Sequence, residues 1–216
     1  MSRGLYDKTQ LQQGMSDLRD DLIQDSGPQI STMRNYRFAI LQYDPKQEFE
    51  LRSELAKLST DLSQHGWAVL SIDLQKLLLA RLMKQKDRFV ERMIEREKWL
   101  SGPPQNTGLN DLSEKVSMLI EGKDGIAGDC CHIIQRHADE NPDKVDRTVA
   151  LIARAGSLFP FYRSSALLRH LDGQTRNVPV VLFYPGERRG LTGLSFMGQL
   201  DPDNDYRPRI YPELRR

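Results

Sequence analysis

The chain has 216 residues, and its acidic and basic side chains nearly balance, leaving a formal net charge of +1. This balance excludes a strong overall attraction to nucleic acid or to an anionic membrane, and the length is enough to bury a core without disulfides or a structural metal. The two cysteines, Cys130 and Cys131, are adjacent, which is not the pattern of a secreted disulfide framework. No run approaches the ~18 apolar residues of a membrane span, and residues 1–7 lack the apolar core of a signal peptide. We therefore expect a cytoplasmic bacterial protein organised as a single domain over residues 1–216.

The first third of the chain alternates helix-like and strand-like segments. Leucine and methionine recur every three or four residues over 10–24, which predicts an amphipathic helix. Residues 37–43 form a short apolar run and predict a strand. A helical pattern over 46–64 follows, and residues 68–73 predict a second strand. Strand, helix and strand in this order predict a βαβ unit with two parallel strands.

Residues 74–140 contain no strand-like segment and predict a helical insertion. Apolar residues at helical intervals over 74–100, with no Gly or Pro inside, predict one long helix. Its other face carries basic and acidic side chains, a pattern consistent with a solvated face and also with a partner-binding face. Further on, Cys130, Cys131, His132 and His137 include metal-ligand types, but metal ligands on one helix lie three or four residues apart. We therefore expect no metal site here and a Cys130 that faces the core.

The last third of the chain returns to strand-like composition. Residues 147–154 predict a third strand, and a short helix is expected from about Ser164 to Leu171. Residues 178–184 are the most continuous apolar run in the chain, which predicts a strand buried on both faces. We expect residues 184–186 to turn the chain there, and residues 193–198 to return as an antiparallel hairpin strand. The predicted fold is three-layer α/β: a mostly parallel sheet flanked by helices, with a helical insertion and a C-terminal hairpin strand.

The sequence contains no familiar catalytic motif. It has no Walker phosphate loop, no G-x-G-x-x-G after a strand and no G-x-S-x-G nucleophile elbow, and we expect no cofactor. Asp44 and Asp73 each end a predicted parallel strand, where carboxylates can hold a metal or act as a base, although aspartate is equally suited to capping a helix. Two alternatives to a non-enzymatic role follow. One is a hydrolase or nucleotide-handling enzyme that uses these aspartates, and the other is a DNA-binding module built on residues 84–98 with Arg188 and Arg189.

Four segments in the last quarter of the chain carry a family resemblance. They are Phe159–Leu168, Val178–Gly186, Leu194–Gly198 and Asn204–Arg207. In this order they resemble the F-P-F-x-R-x-S-x-L-L motif, the V-P-V-V-x-F-Y-P-G strand, the L-x-F-F/M-G strand and the terminal N-x-Y-R of the BrxB family of bacterial BREX phage-defence systems. The strand of residues 178–184 thus carries the most specific of these signatures.

The resemblance implies a small accessory protein required for BREX defence. It would act within a multi-protein complex with the phosphatase-like PglZ, and with the ATPase BrxC and the methyltransferase PglX as further partners. It implies no catalytic residue. It also implies that the protein would contact nucleic acid only through the complex. The predicted partner-binding residues lie on the long helix (Arg88 and Arg92), at the start of the short helix (Arg163), at the end of the central strand (Tyr184) and just past it (Arg188 and Arg189).

Overall fold

A computed structural model describes residues 8–24, 27–30, 37–86, 88–103, 107–190, 193–203 and 208–213. Its helices are α1 (Gln10–Leu22), α2 (Glu48–Gln64), α3 (Leu74–Met83), α4 (Phe89–Leu100), α5 (Gly108–Ile120), α6 (Ile126–Glu140) and α7 (Ser164–Leu171). Its strands are β1 (Phe38–Tyr43), β2 (Ala68–Asp73), β3 (Thr148–Ala153), β4 (Val180–Arg189), β5 (Gly193–Phe196) and β6 (Arg209–Tyr211). No described helix is both long and apolar enough to cross a bilayer.

The strands form one mostly parallel sheet in the order β2-β3-β4-β1-β6. β4 lies in the middle and pairs in parallel with both β1 and β3, while β5 pairs antiparallel with the outer end of β4. The predicted three-layer α/β fold, with its hairpin strand, is confirmed. So is the burial of β4, because its residues from Val180 to Gly186 are all buried.

Helices cover both faces of the sheet because the chain crosses it in two directions. From β1 the chain passes through α2 to the far edge at β2, and it then returns through β3 to β4. Right-handed crossovers in opposite directions place their helices on opposite faces. Accordingly α1 and α2 share one apolar cluster with the odd-numbered side chains of β1, whereas α3, α5, α6 and α7 share a second cluster with the even-numbered ones.

The region between β2 and β3 is helical among its described residues, as predicted, but one long helix over 74–100 is wrong. α3 ends at Met83 and α4 begins at Phe89, and Arg88 between them adopts a left-handed conformation with φ of 53°. The break turns α4 back so that it contacts both α3 and α5. Tertiary packing of α4 therefore overrides a local sequence in which neither glycine nor proline marks the end of α3.

The predicted turn at residues 184–186 is also wrong, because β4 continues through it to Arg189. Pro185 still aligns with Tyr43 of β1, and Gly186 already pairs with Phe196 of β5. β4 is thus a single ten-residue strand. Its first part pairs within the parallel sheet, and its last part pairs with β5 in the hairpin. Proline is tolerated at this junction, since the strand changes pairing partners there.

At the C-terminal end, the structure adds a strand that the sequence pattern missed. β6 is only three residues long, pairs in parallel with β1 and places the fully buried Tyr211 in the core. The hydroxyl of Tyr211 donates a 2.6 Å hydrogen bond to Asp21 of α1, which joins the C-terminal strand to the first helix. The family-like segment Asn204–Arg207 lies outside the described residues.

Candidate functional site

The outer helical layer, defined here as α3, α4 and α5, is the first candidate surface. The three helices contact one another. α3 and α5 bury Leu74, Leu78, Val116 and Ile120 in the core, whereas α4 buries only Met93. A 12-residue helix with one buried side chain keeps most of its surface available to other molecules.

Large apolar side chains are exposed on this layer to an unusual degree. Among the described residues, seven large hydrophobic side chains are exposed, and six of them belong to α3, α4 and α5. These six are Leu79, Met83, Ile94, Trp99, Leu109 and Met118. Single exposed apolar residues are ordinary, but six of them on three adjoining helices make the outer helical layer a candidate interaction surface.

Charged side chains hold α4 against α5 within the layer. The Arg96 guanidinium donates two hydrogen bonds to the Asp111 carboxylate, at 2.8 and 2.9 Å, and Lys115 donates a third at 2.7 Å. The hydrogen bonds from Arg96, followed by those from Lys115, lower the pKa of Asp111 to about 2. This three-residue clamp fixes the outermost helix, which has little buried apolar surface of its own.

We expect the clamp to be detectable as an altered titration of the Asp111 carboxylate at acid pH. Because the folded-state pKa of Asp111 lies below its ordinary value of 3.8, the contribution of the clamp to stability is complete above about pH 4 and is lost as the pH falls towards 2. Carboxyl-carbon NMR should give an Asp111 midpoint near 2, and Arg96→Ala should raise it. Arg92→Ala, on the same helix, should leave it unchanged. A wild-type midpoint near 3.8 would contradict the clamp.

A groove of about 750 Å³ is the second candidate site. It runs between α2 and the carboxyl-terminal half of β2, with Leu51, Leu55 and Leu151 among its apolar lining residues and Ser71 exposed beside them. Side chains from the opposite face of the sheet, including Ile133, also line it. The groove therefore wraps around the outer edge of β2, and we call it the edge groove.

A polar network stands at the carboxyl-terminal end of the edge groove. Arg154, which follows β3 in a left-handed conformation with φ of 66°, donates to Gln75 and lies 3.4 Å from the Glu48 carboxylate. Glu48 also accepts a 2.5 Å hydrogen bond from the Tyr43 hydroxyl, whose pKa is raised by burial, so the phenol stays protonated and donates. The network joins the ends of β1 and β3 to α2 and α3, and every charged member has an internal partner.

The two strand-end aspartates do not form a shared site. Asp44 follows β1 and Asp73 ends β2, and three strand spacings, about 14 Å, separate these strands. Asp44 accepts a 2.9 Å hydrogen bond from the Lys46 amide, and Asp73 accepts a 3.0 Å bond from the Lys76 amide. Both carboxylates therefore cap the helical turns that follow their strands.

The Cys130–His137 segment places its thiols in the core rather than at a ligand site. Cys130 is fully buried on α6, as expected, and burial raises the pKa of its thiol. Cys131 is half-buried, and its Sγ lies 3.8 Å from the His170 carbonyl. Within the described ranges no three His, Cys, Asp or Glu side chains come together as a possible metal site.

The predicted partner-binding residues occupy several separate elements. Arg92 is exposed on α4, Arg88 is exposed directly before α4, and Arg163 is exposed at the start of α7. On β4, the guanidinium of Arg188 is partly buried and donates to the Pro212 carbonyl at 3.1 Å, while Arg189 is exposed and pairs with Glu187. Their contacts with partners stay a prediction.

Tyr184, the sixth predicted partner-binding residue, has a different environment. Its side chain is fully buried, its hydroxyl donates to the Leu194 carbonyl at 3.3 Å, and its ring packs on Phe196. It has no exposed surface with which to contact a partner, and it joins β4 to β5 instead.

The exposed face of α4 does not present one sign of charge. Basic Arg92 and Lys98 alternate there with acidic Glu91 and Glu95, and Arg96 is already paired with Asp111. A DNA-binding surface needs a contiguous basic stripe, and this helix does not supply one.

The family model described as BREX protein BrxB matches residues 70–210, from within β2 to within β6. The chain belongs to the BrxB family. It is also similar to the BREX protein BrxB of Bacillus cereus (strain H3081.97), at 26% identity over 177 residues that cover 79% of this chain and 80% of the relative. No solved structure gave a significant match.

Sequence reasoning about this BrxB-family chain missed the most prominent features of both surfaces. Trp99 and Met83 lie within a regular helical pattern, and an apolar residue at helical spacing is normally interpreted as a core residue. The sequence pattern places Arg154 at the end of a strand. Only its left-handed backbone and the strand order bring it to Glu48 and Gln75, and neither property has a sequence signal.

Proposed function

We propose that this BrxB-family protein is a non-enzymatic adaptor of a bacterial BREX anti-phage defence system. It acts by holding other BREX proteins together in a multi-protein complex, with PglZ as the main partner and with BrxC and PglX as further candidates. Membership of the BrxB family supports the BREX setting. The observation that carries the adaptor role is the concentration of exposed large apolar side chains on the outer helical layer.

The composition of this layer suits a protein interface. Trp99 is 65% exposed and Met83 is 75% exposed, and aromatic residues and methionine are enriched where proteins bind one another. Burying one such side chain against a partner is worth about 1.5–3 kcal/mol. The charged residues around them, such as Arg92 and Glu95, provide the polar rim that a stable interface carries around its apolar centre.

The experiment is recovery of BREX proteins with the tagged chain from cells that carry the complete defence locus. We expect wild-type protein to recover at least one BREX component. The double substitution Met83→Asp with Trp99→Asp should lose that component and should raise phage plating towards the level of a strain without the gene. A carboxylate introduced at either position cannot be buried against a partner without a partner charge.

Phe49→Asp is the matched control, because Phe49 is 77% exposed but lies on α2 rather than on the outer helical layer. This variant should keep both the recovered protein and phage resistance. Recovery of no BREX component by the wild-type chain would sink the adaptor proposal. Equal loss in both variants would remove the outer helical layer as the contact surface.

A further inference from the structure

One edge of the sheet is long and unprotected. β2 has six residues and pairs only with β3 among the described residues. Proteins normally protect sheet edges with proline, lysine, a bulge or a very short strand. The opposite edge follows that rule, since β6 has three residues and Pro212 comes directly after it. β2 contains no proline, lysine or bulge, and its one charged residue is Asp73 at its end.

We propose that a second copy of this chain pairs its own β2 antiparallel with this edge. The two sheets then become one continuous sheet around a twofold axis perpendicular to it. Such an axis keeps equivalent faces of the two sheets on the same side. Two residues that lie directly opposite each other must therefore point to the same face, which means that both have odd numbers or both have even numbers. The register that places Leu70 on the axis satisfies this condition and opposes Ala68 with Ile72 and Val69 with Ser71.

The side chains of β2 complement one another in this register. On one face, Leu70 lies against Leu70 of the second copy, and the small Ala68 lies against the larger Ile72. On the other face, Ser71 is exposed in the edge groove, and Val69 of the second copy lies over it. Ala68 and Ser71 are thus each opposed by a larger side chain, and the twofold axis generates each of these two contacts twice.

Charges match as well in the same register. Asp73 lies opposite Trp67 of the second copy, and the Arg147 guanidinium lies 5.8 Å from the centre of the Trp67 ring. Asp73 uses only Oδ1 to cap the Lys76 amide, which leaves Oδ2 for the second copy. Arg147 has no acidic partner in the described part of the chain. Arg147 is level with Trp67 on its β3 side, so each Asp73 lies two strand spacings, about 10 Å, from the Arg147 backbone of the other copy. The long arginine side chain spans this distance, and the pair occurs twice in the dimer.

Sedimentation equilibrium of the purified full chain is the first test. We expect a species of twice the 24.9 kDa chain mass at micromolar concentration. Leu70→Cys should give a disulfide-linked dimer on mild oxidation, because directly opposed residues of antiparallel strands have Cβ atoms about 5 Å apart. Phe49→Cys, which is more exposed but lies on α2 rather than on β2, should not, and oxidised wild-type protein reports any background from the native thiols.

A charge exchange tests the register. Arg147→Asp and Asp73→Arg should each weaken the dimer by about tenfold or more, since each places like charges together twice. The double variant should recover most of the affinity. A monomer at all accessible concentrations, or equal cross-linking of Leu70→Cys and Phe49→Cys, would overturn the proposal. Because these measurements use the purified chain alone, their failure leaves the adaptor proposal untouched, and the reverse also holds.

Discussion

Replacing Gly186 by alanine will lower the free energy of unfolding by about 2–3 kcal/mol, because the added methyl group has no space. A Cβ at this position would overlap the Ser195 carbonyl oxygen and would lie 2.8 Å from the Tyr184 ring. The first neighbour is backbone of β5, so the hairpin would have to separate from β4 to make room. For a chain of this size we expect the melting temperature to fall by about 5–10 °C.

Urea unfolding followed by circular dichroism measures this effect, and Gly102→Ala is the control. A Cβ on Gly102 has nothing closer than the Trp99 carbonyl oxygen at 3.7 Å, so its unfolding midpoint should remain within error of the wild type. An unchanged midpoint for Gly186→Ala would show that β5 is not packed on β4 as described.

Replacing Arg154 by alanine will cost about 2 kcal/mol of stability, because it removes the charge-assisted hydrogen bonds to Glu48 and Gln75. Arg154→Gly loses the same bonds. However, glycine adopts the left-handed backbone at φ of 66° without the steric cost that alanine has. We therefore expect the glycine variant to be about 1 kcal/mol more stable than the alanine variant.

Urea titrations of both variants beside the wild type separate the two effects. The difference between wild type and Arg154→Ala reports mainly the lost contacts, because both residues have a Cβ and the same left-handed steric cost. The difference between the two variants reports the backbone strain. Equal stability of the alanine and glycine variants would mean that the backbone at this position relaxes from the left-handed conformation.

The strands of the sheet could be predicted because their burial leaves a strong mark on the sequence. β2 was predicted at its observed bounds, and β1 and β3 within one residue at either end. These strands are short apolar runs between polar turns, and that contrast requires no knowledge of tertiary contacts. β6 has only three residues, which is too short for any periodic signal, and it becomes a strand only because β1 offers a free edge.

The break between α3 and α4 shows what local sequence does not contain. The residues from Lys84 to Arg88 favour helix about as well as their neighbours do, yet α3 ends at Met83 and the left-handed Arg88 directly precedes α4. What decides the break is contact of α4 with α5, through the Arg96–Asp111 pair and the burial of Met93. The same long-range packing determines which apolar residues of these helices remain exposed, so the candidate surface could not be predicted either.

The position of β1 in the sheet also has a consequence for synthesis of the chain on the ribosome. β1 lies between β4 and β6. Phe38 is aligned with Val180 and Ala39 with Arg209, so the first neighbour of β1 is made 142 residues later and the second 170 residues later. At bacterial elongation rates of about 5–20 residues per second, the nascent β1 waits roughly 7–30 seconds without a strand partner. An apolar segment that emerges early and is paired last is a natural target for ribosome-associated chaperones.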